Sequence, residues 1–184
     1  MIYLLRHGLD DENYIGGYSD VALISEGINQ VEQARDYLVD KKFDIKKIYS
    51  SDVVRARQTT DIVNKALNLS VIYDKGLREL DKGLLTGLNK KLAYNEYPEF
   101  KDLKSITKRY PNGESMEDLY NRVIDYFSNF KDDSCLIVTH RGVINMLYFY
   151  YTDTPLSMDK EQFNVTHGSI HELDIDKKYI KKIF

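Results

Sequence analysis

Cysteine occurs once in this chain, basic residues are not in excess, and no apolar run approaches the length of a membrane span. The lone thiol, Cys135, excludes an intramolecular disulfide framework and suits a reducing cytoplasm. It lies in the apolar run Cys135-Leu136-Ile137-Val138, where a buried, inert thiol is expected in place of a reactive one. With 26 Lys and Arg against 29 Asp and Glu, the formal net charge is -3, which argues against a broad cationic face for nucleic acid. A local cationic pocket remains open, and individual arginines have to make it. The N-terminus lacks a charged-then-apolar signal pattern, so a soluble, cytoplasmic protein with no membrane partner is expected. There is also no linker, internal repeat or low-complexity tract. Hydrophobic residues at 42% and charged residues at 30% suffice for a packed core, and one domain over residues 1–184 is expected.

What is present begins with a strand. Met1-Ile2-Tyr3-Leu4-Leu5 is the unbroken apolar run of a strand covered on both faces, and it delivers Arg6, His7 and Gly8 in succession at its C-terminal end. Ser25 is placed to cap a helix to about Val39, with Ile28, Val31, Ala34 and Leu38 on its apolar face. A short strand over Ile45–Tyr49 runs through Ser50-Ser51-Asp52 into a helix from Val53 to Leu67, which carries Arg55. Val71–Tyr73 is a third strand, followed by Leu77-Arg78-Glu79-Leu80. A helical excursion over about residues 88–130 follows, with Ser115 and Asp118 spaced as a capping box. Ser134–Thr139 is a second strong strand ending in His140-Arg141-Gly142, with an apolar helix beyond it. Alternation through His171–Ile175 and again through Ile180–Ile183 predicts a C-terminal hairpin. The alternation of strands and helices predicts an α/β three-layer sandwich, with a mostly parallel central sheet, helices on both faces and an antiparallel C-terminal edge.

In such a sheet, ligands bind at the C-terminal ends of the strands. Arg6, His7, Arg55 and His140 all fall there, in a turn after a strand or one turn into the next helix. Two guanidinium groups and two imidazoles have no structural reason to gather without an anion, because unpaired they repel one another. A phosphoryl group relieves that repulsion. Neighbouring arginines are expected to hold His7 below the usual imidazole value of about 6.5, leaving a nitrogen lone pair for attack on phosphorus. Arg6, Arg55 and His140 would then hold the non-bridging oxygens. Glu79 is the candidate acid for the leaving oxygen, since a carboxyl facing a bound phosphate dianion has its pKa raised.

Arg6-His7-Gly8, Ser50-Ser51-Asp52-Val53-Val54-Arg55-Ala56-Arg57-Gln58-Thr59, Leu77-Arg78-Glu79-Leu80-Asp81-Lys82-Gly83, Pro111-Asn112-Gly113-Glu114-Ser115 and Val138-Thr139-His140 occur in an order that resembles the histidine phosphatase superfamily, the phosphoglycerate-mutase-like group. The compact length is similar to that of its α-ribazole phosphatase type. The resemblance implies a phosphatase of small phosphomonoesters. His7 would be the phosphorylated histidine, Arg6, Arg55 and His140 the phosphate pocket, and Glu79 the proton donor. It also implies no metal and no cofactor. His167 and His171 have a spacing used in zinc sites but lack a partner set. The family's phosphate-contacting asparagine maps onto Asn13. Three positions depart from the pattern: Asp10 replaces a Ser or Thr, Arg141 replaces a small residue and is a candidate grip on a second acidic group of the substrate, and Thr86 replaces a glutamate. The alternatives are a phosphoglycerate mutase and, on the strength of Asp10 and Arg141, a phosphoester-binding module that has lost turnover.

Overall fold

Short apolar strands alternate with amphipathic helices through most of the chain. The elements in order are β1 (Ile2–Arg6), α1 (Ser25–Lys41), β2 (Lys47–Ser50), α2 (Val54–Leu67), β3 (Val71–Tyr73), α3 (Lys90–Glu96), α4 (Met116–Asn129), β4 (Cys135–Thr139), α5 (Arg141–Tyr151), β5 (Ile170–Asp174) and β6 (Tyr179–Lys182). The computed structural model describes residues 1–159 and 161–184. One sheet takes the order β3-β2-β4-β1-β5-β6. The pairs β1·β4, β2·β4 and β2·β3 are parallel, while β1·β5 and β5·β6 are antiparallel. This is the α/β sandwich with an antiparallel C-terminal edge that the alternation of elements predicts.

The central strands show why helices cover both faces. Every residue of β1 and β4 is buried. Side chains alternate across a strand, so Ile2, Leu4, Cys135 and Ile137 pack with Leu119, Val123 and Phe127 of α4 and Val143 and Leu147 of α5. Tyr3, Leu5, Leu136 and Val138 face the other way, onto Val31, Ala34 and Leu38 of α1 and Ala56 and Val63 of α2. Each fully buried aliphatic side chain of this kind contributes about 1.5–3 kcal/mol. Cys135 sits in this core, and burial pushes its thiol up to about 12, far from a reactive value.

Two details of α1 differ from expectation. Ser25 is the first helical residue and Ile24 holds the cap position, so Ser25 provides no cap. Ile28 is exposed, and Gly27 takes the inward place. The loop after His7 explains this, because a Cβ on Gly27 would stand 2.0 Å from Leu9 O. Only glycine lets the helix lie this close to that loop. At α4 the capping box forms as expected: Asp118 N–H donates to Ser115 Oγ, and Ser115 N–H donates to Asp118 Oδ2. No helix among the described residues is long and apolar enough to cross a membrane.

Candidate active site

Parallel pairing of β1 with β4 sets Arg6 opposite Thr139, so the next residues, His7 and His140, leave the sheet side by side. Their rings are 5.0 Å apart, edge on. The ladder continues one step into these turns, with His7 N–H donating to Thr139 O at 3.0 Å and Ser51 N–H to Val138 O at 2.9 Å. Ser51 leads into α2, and Arg55 is the second residue of that helix. The strand-end convergence expected from sequence is therefore present in space.

His7 Nδ1 donates to Gly8 O at 2.7 Å, which leaves Nε2 without a proton and free to accept from Arg55 Nε at 3.2 Å. Burial holds His7 well below its ordinary value, and Arg55, His140 and Arg6 add to the effect. The dominant cause is thus removal from water, with the arginines second. Arg55 is almost wholly buried, and its other nitrogens donate to Gly17 O at 2.8 Å and Ser19 Oγ at 3.5 Å. Arg6 donates to Val165 O at 2.7 Å and to His167 Nε2. Burial, with Arg141 nearby, lowers Arg6 to about 10. His140 is fully buried, with Nε2 2.8 Å from Ser51 Oγ. Its Nδ1 has no hydrogen-bond partner among the described residues. His140 too is held well below its ordinary value, chiefly by burial and then by Arg55.

Glu79 reaches the same space from the loop after β3. Its Oε1 accepts from Leu80 N–H at 2.8 Å and its Oε2 from Gly142 N–H at 3.1 Å. Burial opposes its ionisation, but the facing His140 ring, these two N–H groups and Arg55 outweigh burial and hold it at about 2. Glu79 is held as a carboxylate by these contacts. A clamp fixes its backbone. Arg122 of α4 binds both oxygens of Glu114, at 2.8 and 2.9 Å. Its remaining N–H groups donate to the carbonyls of Gly76, Arg78 and Glu79. Glu114 in turn accepts from Asp81 N–H at 3.0 Å.

These side chains open onto a cavity of about 210 Å³. Its walls include Arg6, His7, Asp10, Arg55, Glu79 and His167, with Ile15, Tyr94, Met116, Met146 and Phe149 supplying apolar surface. His140 lies behind, and Arg141 and Gly142 form the wall beside it. Arg141 is on the wall and is ion-paired with Glu161 at 2.5 Å.

Asn13 is a correction. It is exposed, outside the cavity wall, with both its backbone N–H and its Nδ2 donating to Asp11 Oδ1, at 3.0 and 2.8 Å. This local turn holds the amide in its own loop, as short Asp and Asn side chains commonly do. His167, by contrast, belongs to the cavity. Its ring is 5.6 Å from that of His7, and burial lowers it to about 3, with Arg6 the next cause. The hairpin held the signal: β5 runs antiparallel beside β1, with Leu5 opposite Ile170, so the residues before Ile170 abut the end of β1. Gly168 N–H lies 3.2 Å from Arg6 O and 3.3 Å from His7 O, which binds the two segments together. His171 turns away and is bonded to Tyr148 and Ser169.

His7, Asp10 and His167 bring three possible ligand atoms within 4.8 Å of one another. Both imidazoles are, however, already acceptors for guanidinium N–H groups, from Arg55 and Arg6. A dication would sit between two guanidinium charges, whereas an anion would bridge them, so the arrangement suits a phosphoryl group.

Residues 2–182 match the model of the histidine phosphatase superfamily (branch 1). The 6-phosphofructo-2-kinase/fructose-2,6-bisphosphatase of Caenorhabditis elegans is 30% identical over 161 residues, which is 85% of this chain and 35% of that protein. A probable phosphoglycerate mutase GpmB of Proteus mirabilis is 37% identical over 130 residues, 66% of this chain and 59% of its own length. The chain thus spans between 35% and 59% of these relatives. The crystal structure of the alpha-ribazole phosphatase from Shigella flexneri has the same fold, with a TM-score of 0.78 at 23% identity over 99% of this chain and 94% of that one.

Proposed function

The chain belongs to the histidine phosphatase superfamily (branch 1), and from that membership we propose that it hydrolyses small phosphomonoesters through a phosphohistidine on His7. The observation that carries the reading is the bond from His7 Nδ1 to Gly8 O, which leaves the Nε2 lone pair facing Arg55 beside the cavity. The cavity, about 210 Å³, is below the ~300–1,000 Å³ of pockets for drug-sized ligands and suits a small metabolite. The buried thiol of Cys135 fits a cytoplasmic setting.

In this mechanism the Arg55 Nε–H hydrogen bond passes from His7 Nε2 to a phosphoryl oxygen, the released Nε2 lone pair attacks phosphorus in line as the ester P–O bond breaks, and Arg6 and Arg55 carry the charge on the non-bridging oxygens. With the Ser51 hydroxyl assigned as donor to His140 Nε2, the ring proton sits on Nδ1, which has no partner among the described residues, and serves a phosphate oxygen. A bound dianion beside Glu79 raises its pKa from about 2, so the carboxyl gains a proton on binding and gives it to the leaving oxygen. Water then attacks phosphorus, Glu79 takes its proton, the N–P bond breaks and His7 is restored. Arg141 is assigned to a second acidic group on the substrate.

Mixing the protein with an aryl phosphate and quenching in base tests this reading. An acid-labile, base-stable phosphoprotein that is lost in His7→Ala is expected. Turnover retained in His7→Ala would overturn it. The GpmB likeness favours a second reading, a phosphoglycerate mutase. Formation of 2-phosphoglycerate from 3-phosphoglycerate and a trace of the bisphosphate would select it.

A further inference from the structure

The mechanism leaves Asp10, a carboxylate on the cavity wall beside Arg55, without a task. Asp10 follows β1 on a loop bridged to Leu23, its side chain is 14% exposed, and its Oδ2 stands 3.4 Å from Arg55 Nε. The same Arg55 Nε–H serves His7 Nε2 at 3.2 Å. The charged and titratable groups that face Asp10 are Arg6 from β1, Arg55 from α2, His167 from the loop before β5, and Glu12 and His7 along its own segment.

We propose that Asp10 is an internal competitor for the phosphate: its carboxylate occupies the side of Arg55 that a phosphoryl oxygen needs, so the dianion enters together with a proton that Asp10 takes up. This rests on the reading of the cavity as a phosphomonoester site. The charges nearest Arg55 argue for it. Glu12, Lys82, Lys90 and Asp159 also line the cavity, but the charges acting on Arg6 and Arg55 are those of Asp10 and Glu79, with Arg141 paired to Glu161; the two arginines match a dianion by themselves and already face two carboxylates. Among Arg6, Arg55, Asp10, Glu79 and the dianion, protonation of Glu79 alone leaves three negative charges against two positive. Protonation of Asp10 as well restores the balance and turns a repelling oxygen into a donor to phosphate. Asp10 is prepared for this, because burial raises its pKa against the pull of Arg55 and Arg6. The isosteric amide would bypass the step.

The test is calorimetric titration of the full chain with inorganic phosphate from pH 5 to 8, for wild type, Asp10→Asn and Asp10→Ser, in two buffers of different ionisation enthalpy. Phosphate's own protonation is common to all three proteins and cancels in the ratio. Both variants are expected to bind phosphate about tenfold more tightly than wild type at pH 8, with the advantage shrinking toward pH 5. Proton uptake per bound phosphate should fall by about one. Equal or weaker binding by both variants across the range would overturn the proposal and leave Asp10 as a residue that positions Arg55. If none of the three proteins binds phosphate, the phosphoester reading fails and this proposal fails with it.

Discussion

Gly142 N–H donates to Glu79 Oε2 at 3.1 Å, and a Cβ on Gly142 would stand 2.0 Å from Glu79 Oε1. The first residues of α5 therefore do two things at once: they end the His140 turn and receive the carboxylate from the loop after β3. An alanine at position 142 cannot coexist with Glu79 where it is. Gly142→Ala is expected to fold and to lower kcat on alkyl phosphates by about a hundredfold, the scale of a misplacement near 1 Å. Unchanged kcat would show that Glu79 need not stand there.

Glu79→Gln separates the acid role from general damage. Aryl esters leave without a proton, so phosphoenzyme formation from them should persist while alkyl esters lose about 10²–10⁴ in kcat/KM. Rapid-quench measurement of both steps decides it, and equal losses on the two ester types would remove the acid role.

Arg122 is a positioning residue for Glu79, since its guanidinium holds the carbonyls of Gly76, Arg78 and Glu79 as well as Glu114. Lysine keeps the charge but not the planar fork. Arg122→Lys should lower kcat on alkyl phosphates about tenfold or more with KM little changed, and should steepen the dependence of rate on leaving-group pKa. A loss of thermal stability with no change in that dependence would make the clamp purely structural.

Acid should weaken the fold. All four histidines, His7, His140, His167 and His171, are held below their ordinary values, foremost by burial. An imidazole kept neutral in the folded chain takes its proton only on unfolding, so each favours the unfolded state as pH falls below 6.5 and continues to do so down to its folded value, about 3 for His167 and His171. Glu79, held at about 2, acts in the same direction below its ordinary value. The urea midpoint is expected to fall steadily from pH 6.5 to pH 4, and a flat profile would contradict the burial of these rings.

Gly8 and Gly27 meet face to face, where a Cβ on Gly8 would come within 2.2 Å of Gly27 O. The clash is with backbone, which cannot swing aside. Gly27→Ala, whose Cβ would stand 2.0 Å from Leu9 O, is expected to cost about 1–3 kcal/mol, measured by chemical denaturation, and to raise the phosphate dissociation constant by displacing Gly8, whose carbonyl holds the His7 ring.

What was legible in the sequence is what depends on local pattern. β1 and β4 were visible because strands buried on both faces are continuous apolar runs, and their ends then placed Arg6, His7 and His140 together. Glu79 needed the order of motifs, since nothing in its own neighbourhood marks it out. Side-chain choices made by neighbouring backbone stayed hidden. Asn13 turns to Asp11, and Ile28 yields its inward place to Gly27 because Leu9 lies too close for a side chain. His167 is reached only through the antiparallel register of β5 on β1, a pairing between residues far apart in the chain.

Because α3 contributes Lys90 and Tyr94 to the cavity, whereas the proposed phosphate grip hangs from the ends of β1 and β4 and from α2, two different parts of the chain build opposite sides of one pocket. Grafting a different α3 segment onto this scaffold should change which alcohol is released and leave the attacking nitrogen where it stands. The molecule is in that sense a fixed tool with an exchangeable jaw.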